Sequence, residues 1–128
     1  MNTFNKVLYI EDDPDIQTIA TMAFAFGGFV VEPCTSGRMA LDKIGGFHPD
    51  LILIDVMMPE MDGPSTLKAI RALPDFSTTP IVFMTAKVQA HEVESYKKLG
   101  AVAVITKPFD PMTLCDDLKK IWKQNYVG

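Results

Sequence analysis

The stretch Leu51–Gly63, LILIDVMMPEMDG, decides the fold. Leu51, Ile52, Leu53 and Ile54 run straight into Asp55; Pro59, Glu60 and the Asp62-Gly63 pair then stop regular structure. A short Ile/Leu run bounded by turn residues fits a strand buried on both faces, as in a parallel sheet. Asp55 then stands at that strand's carboxyl end. In open α/β sheets ligands bind there, because strand ends, loops and helix N-termini open into a common crevice. An isolated Asp in this place could simply cap the loop, and the flanking segments decide against that.

Upstream, Phe29–Cys34 (FVVEPC) reads as an edge strand, since Pro33 cannot donate to a central ladder. Ser36 can cap a short helix through Met39, Ala40 and Ile44, closed by Gly45 and Gly46. Farther back, Lys6–Ile10 (KVLYI) is a β-rich run that ends in Glu11, Asp12 and Asp13. Asp13-Pro14 is a helix start, and the helix continues to Gly27 and Gly28.

Downstream, Pro64 opens a helix through Leu67, Ile70 and Leu73, with Pro74 just past its end. Ile81–Thr85 is a fourth strand, Val88–Leu99 a helix stopped by Gly100, and Ala101–Ile105 a fifth strand. Asp110-Pro111 begins a last helix through Leu114, Leu118, Ile121 and Trp122, and the polar tail KQNYVG either frays or marks where a longer chain was cut. Strict alternation of strand and helix implies a parallel sheet with right-handed crossovers and helices on both faces. All five strand ends then point to one rim.

Composition agrees with one domain over residues 1–128: 48% of residues are hydrophobic and 22% charged. The net charge of -4 lacks the basic footprint of a nucleic-acid binder, so no direct nucleic-acid binding is expected. Apolar runs are broken by charge, Gly or Pro, so no membrane association is expected. The start MNTFNKVLYIEDD has no signal-peptide h-region or cleavage site, which reads as a cytoplasmic protein. Cys34 and Cys115 lie outside any C-x-x-C and read as reduced thiols, and His48 and His91 form no metal motif.

On this frame Glu11, Asp12, Asp55, Thr85 and Lys107 converge at the carboxyl rim. Three carboxylates gathered together repel one another, raise their pKa values and call for a cation. Oxygen-only ligands select a hard ion, and Mg²⁺ is the natural candidate. The ion and Lys107 would draw phosphate oxygens onto Asp55, a setting for phosphoryl transfer to a carboxylate.

The motifs YIEDDP (Tyr9–Pro14), LILIDVMMPEMDG, IVFMTA (Ile81–Ala86) and ITKPF (Ile105–Phe109) are individually weak but together highly specific. Over essentially its whole length the chain resembles the receiver domain of two-component response regulators. The resemblance implies an α/β, doubly wound, flavodoxin-like fold with a five-stranded sheet of order 2-1-3-4-5. It implies that Asp55 is the phosphoacceptor, served by a histidine kinase or histidine phosphotransfer protein. It further implies that Asp12, Asp55 and the backbone carbonyl of Met57 bind Mg²⁺, with Glu11 acting through a water. Thr85 would hydrogen-bond a phosphoryl oxygen, and Lys107, before a cis peptide to Pro108, would pair with the phosphoryl group or with Asp55. Asp13 is assigned to helix capping, and Glu60 and Asp62 to the loop and helix start.

Three positions depart from or tune that pattern. Val104 stands where the family often has an aromatic residue that responds to phosphorylation, which puts the output step in question. The resemblance also places Met57 and Lys87 where members of this family tune phosphate lifetime, and neither orients an attacking water well, so slow self-dephosphorylation is expected.

The first helix carries two apolar stripes, Ile16/Ala20/Ala23/Phe24 and Ile19/Met22/Phe26, where a helix on a sheet needs one. The second is either a wide core face or a docking patch for a helical phosphodonor. Among rival readings, a phosphohydrolase needs an acid where Met57 stands. A nucleotide or flavin domain needs a Gly-rich loop where residues 11–13 are acids. A pseudo-receiver, acting as an interaction module without phosphorylation, is the remaining alternative. The reading adopted is a phosphoacceptor that catalyses its own phosphorylation, is not a turnover enzyme, and is a monomer or weak dimer. It would act on a downstream effector protein or on an effector domain outside these residues.

Overall fold

The computed structural model describes residues 4–125. Its strands are β1 (Lys6–Ile10), β2 (Val30–Cys34), β3 (Leu51–Asp55), β4 (Ile81–Thr85) and β5 (Ala103–Thr106). Its helices are α1 (Pro14–Phe26), α2 (Gly37–Phe47), α3 (Gly63–Arg71), α4 (Ala90–Leu99) and α5 (Leu114–Asn125). The strands form one parallel sheet of order β2-β1-β3-β4-β5, so β2, the strand with Pro33, is an edge as its sequence required.

Strand periodicity splits the core in two. Leu8, Ile10, Ile52, Ile54, Ile81 and Phe83 point to one face, where Ala40, Ile44, Leu67 and Ile70 of α2 and α3 cover them. Val7, Tyr9, Leu51, Leu53, Val82 and Met84 point to the other, under Ala20 and Phe24 of α1 and Leu114 and Leu118 of α5. Every residue of β3 is buried, because both neighbours of each pleat are covered. Among the described residues no helix is long and apolar enough to cross a membrane.

Helix starts follow their caps. Asp13 accepts from the amides of Asp15 (2.9 Å) and Ile16 (3.1 Å), and Asp62 from that of Ser65 (2.9 Å). Other boundaries differ from the sequence reading for local reasons. Helix α2 runs through Gly45 and Gly46 to Phe47 and is closed by His48, whose backbone is left-handed at φ 53°. Both glycines face open space, and the turn is held by Phe47, which packs on the core and whose carbonyl accepts from Lys6 Nζ at 3.1 Å.

Helix α4 starts at Ala90, two residues late, where Gln89 and Glu92 form a reciprocal capping box. Strand β5 starts at Ala103, because the amide of Ala101 is taken by the carbonyl of Tyr96 at the end of α4. Asp110 closes a turn, accepting from the amide of Met112 at 2.9 Å, and α5 proper begins at Leu114. Of the polar tail, Lys123–Asn125 is helical and residues 126–128 lie outside the described residues.

Candidate functional site

β1 leads through α1 to β2 on one side, while β3 lies on its other side, so the carboxyl ends of β1 and β3 flank the point where the winding reverses. That is where a doubly wound sheet opens a crevice. Glu11 follows β1 and is fully buried; Asp55 ends β3 and is 3% exposed; Thr85 ends β4 and is also buried. Asp12 beside them is exposed. Carboxylate oxygens of Glu11, Asp12 and Asp55 all lie within 4.8 Å of one another, the only such metal-competent group of His, Cys, Asp or Glu among the described residues.

Lys107 reaches this group from the loop after β5. Its Nζ lies 3.2 Å from Glu11 Oε1 and 3.4 Å from Asp55 Oδ2, and its peptide bond to Pro108 is cis. The backbone fixes the approach, since the Lys107 amide donates to the Thr85 carbonyl at 2.9 Å. Asp55 Oδ1 faces the amide of Met57 at 3.4 Å, and the Met57 side chain is exposed beside it. Thr85 Oγ1 accepts from the amide of Lys87 at 3.1 Å.

Burial, and next the bonding and repulsion from Asp55, push the Glu11 carboxyl up to about 7, against the amide of Asp13 and Lys107. Burial alone would lower Lys107, but Asp55 and Glu11 outweigh it and hold the ammonium above its usual range. The rim thus carries more buried negative charge than one lysine compensates. An oxygen-only donor set with excess negative charge fits a hard divalent cation.

The model of the family described as the response regulator receiver domain matches residues 7–119. The chain belongs to the response regulator receiver family. Phosphorylation on an aspartate is the general mechanism of that family. This receiver is 34% identical over 110 residues to the regulatory protein AtoC of Escherichia coli (strain K12), covering 86% of this chain and 23% of AtoC. It is 30% identical over 115 residues to sporulation initiation phosphotransferase F of Bacillus subtilis (strain 168), covering 90% of this chain and 91% of that protein. Among solved structures it is similar to the chemotaxis response regulator CheY4 of Vibrio cholerae, at 33% identity and a TM-score of 0.86, covering 93% and 99% of the two chains. The chain spans about a quarter of AtoC and about half, 49%, of the transcriptional regulatory protein CseB of Streptomyces coelicolor.

Two residues that sequence reasoning did not single out are bonded to Glu11 at this rim. Tyr9, fully buried, places its hydroxyl 3.5 Å from Glu11 Oε1, and Gln17 Nε2 donates to the Glu11 carbonyl at 3.1 Å. The signal for Tyr9 was available, because residues two apart on a strand share a face. Gln17 sits on the first turn of a helix whose direction the sequence did not give.

Val104 is half-buried in β5, paired in register with Phe83. The aromatic neighbour of Phe83 comes instead from α4, where the Tyr96 ring meets it edge-on at 5.4 Å. On α1 the first apolar stripe is the core stripe, with Ala20 and Phe24 buried. The second is not core: Ile19 is 49%, Met22 67% and Phe26 97% exposed. With Pro111, Met112 and Cys115 these residues line an apolar groove between α1 and α5.

Proposed function

We propose that this receiver, a single domain over residues 1–128, accepts a phosphoryl group on Asp55 and passes the signal on through altered protein contacts. The donor is a phosphohistidine on a histidine kinase or histidine phosphotransfer protein. The observation that carries the reading is the placement of Asp55, buried at a strand's carboxyl end within reach of Lys107 and two further acids. Glu11, Asp12, Asp55 and the Met57 carbonyl are the groups that would hold Mg²⁺, with Glu11 acting through a water. The ion, when bound, supplies positive charge that lowers the repulsion between Asp55 and an incoming phosphate.

The chain's own groups do the rest. An Asp55 carboxylate oxygen forms the new bond to phosphorus as the bond to the donor imidazole nitrogen breaks, and the imidazole takes up a proton. Lys107, held between Glu11 and Asp55, offsets the charge on the transferred group, and the Thr85 hydroxyl donates to one of its oxygens. Met57 and Lys87 provide no carboxylate or amide to aim a water at phosphorus, which supports slow self-dephosphorylation, over many minutes or longer.

The exposed α1 stripe supports docking of a helical phosphodonor beside this rim, and the face formed by α4, β5 and α5 is assigned to output. The output partner is a downstream effector protein or an effector domain outside these residues. The receiver is assigned to the cytoplasm as a monomer or weak dimer. It catalyses its own phosphorylation without being a turnover enzyme.

Intact mass after incubation with acetyl phosphate and Mg²⁺ tests the reading. A gain of about 80 Da, one phosphoryl group on a carboxylate, that vanishes with Asp55→Asn and with EDTA is the expected result. A gain that survives Asp55→Asn would move the acceptor elsewhere. No gain with either acetyl phosphate or a phosphohistidine protein would leave a pseudo-receiver. Charging the α1 stripe with Met22→Glu should slow transfer from a protein donor and leave acetyl phosphate unaffected, whereas equal slowing would remove the docking assignment.

A further inference from the structure

We propose that Tyr9 and Gln17 are positioning residues that hold Glu11 in place for a divalent cation, one through its carboxylate and the other through its main chain. The inference rests on the reading that Glu11, Asp12 and Asp55 form the cation site. Glu11 is fully buried at the point where β1 ends, and its backbone is fastened twice. Its amide donates to the Cys34 carbonyl at 2.9 Å, and its carbonyl accepts from Gln17 Nε2 at 3.1 Å. The same Nε2 reaches the Cys34 carbonyl at 3.0 Å. A side-chain amide nitrogen carries two hydrogens, so it can make both bonds at once. Gln17 thus ties the first turns of α1 to the ends of β1 and β2.

The carboxylate is held from below. Tyr9 is fully buried, with its ring edge-on to Phe24 of α1 at 5.6 Å and 78°. Its hydroxyl lies 3.5 Å from Glu11 Oε1, a long bond but one between two fully buried groups. Oε1 also faces Lys107 Nζ at 3.2 Å, while Oε2 accepts from the amide of Asp13 at 3.3 Å.

These partners differ in what they do when a phosphoryl group arrives. The Lys107 ammonium is drawn to the new negative charge and away from Oε1. The Tyr9 hydroxyl is anchored in the sheet and has no charge to follow. It remains as the donor to an oxygen that would otherwise be buried without a partner, an arrangement that is costly for a carboxylate. Tyr9 therefore keeps Glu11 aimed while Lys107 changes partners.

Mg²⁺ titration calorimetry on Tyr9→Phe and Gln17→Met, with thermal unfolding in EDTA alongside, tests the inference. Tyr9→Phe removes only the hydroxyl, and Gln17→Met keeps the side chain's length without its donors. Each should weaken Mg²⁺ binding by roughly three- to tenfold, at or below the low end for outer-shell partners of a metal site. A merely structural role would lower the unfolding midpoint in EDTA and leave the Mg²⁺ affinity alone. Affinities within about twofold of the parent for both variants, set against that usual range, would overturn the inference while leaving the cation site standing. If the parent protein binds no Mg²⁺, or if Asp12→Asn does not weaken the binding, the cation site itself fails and the inference goes with it.

Discussion

At the amino rim of the sheet, Asp50 Oδ2 accepts from the amides of Asn5 (3.1 Å) and Lys6 (3.0 Å), and Lys6 Nζ donates to the Phe47 carbonyl (3.1 Å). At the carboxyl rim, Lys107 faces two carboxylates at 3.2 and 3.4 Å and a third carboxylate adjoins them. Both rims pair a lysine with carboxylate charge, yet at the first the one acid, Asp50, and the lysine are each matched by backbone groups that needed a partner. The second gathers like charges that crowd one another and whose backbone bonds are longer, from the Asp13 amide to Glu11 Oε2 at 3.3 Å and from the Met57 amide to Asp55 Oδ1 at 3.4 Å. Charges matched to the main chain serve the fold. Charges held against one another form a donor set that could hold a cation.

The strongest way to break this contrast is Lys107→Met. It leaves Glu11 and Asp55 buried together without their ammonium. In EDTA near pH 8 the variant should lose about 3 kcal/mol of stability by urea denaturation, the range for a broken buried pair. Mg²⁺ should restore part of that loss. A loss below about 1 kcal/mol, the range of an exposed pair, would make this rim no different from the other.

A smaller effect appears in the dependence on pH. The Glu11 carboxyl is pushed up to about 7 by burial first and Asp55 next, so between its unfolded value and about 7 the folded chain binds more protons than the unfolded one. Stability contributed by this group is therefore present at low pH and falls as pH rises through that window. In EDTA the urea midpoint should drop between about pH 5 and about pH 8, and Glu11→Gln should flatten the slope. Equal slopes for the two proteins would place the proton elsewhere.

Legibility from sequence follows the same division. The buried strands, the caps at Asp13 and Asp62 and the edge position of β2 were readable, because burial, capping and proline act over a few residues. Glu11, Asp12, Asp55, Thr85 and Lys107 were readable as a group because strand alternation sends all strand ends to one rim. The passage of α2 through Gly45-Gly46 was not, since it depends on Phe47 and Lys6 meeting across 41 residues of chain. Nor could spacing settle the second stripe of α1. Whether Ile19, Met22 and Phe26 face core or solvent depends on how α5 packs beside them.

The smallest expected effect is at the amino rim, and it sharpens the comparison by leaving function alone. Asp50→Ala removes the acceptor for the amides of Asn5 and Lys6, at the exposed start of β1. Water can reach the Asn5 amide, so the loss should be about 1 kcal/mol by urea denaturation, as for a lost capping side chain. Asp50→Asn keeps an acceptor oxygen and should lie close to the parent. Neither variant should change Mg²⁺ affinity or phosphorylation by acetyl phosphate, because the amino rim touches the site only through the length of β1 and β3. A weakened Mg²⁺ affinity in Asp50→Ala would mean that the two rims are coupled through the sheet, and the separation of fold-serving from function-serving charge would not hold.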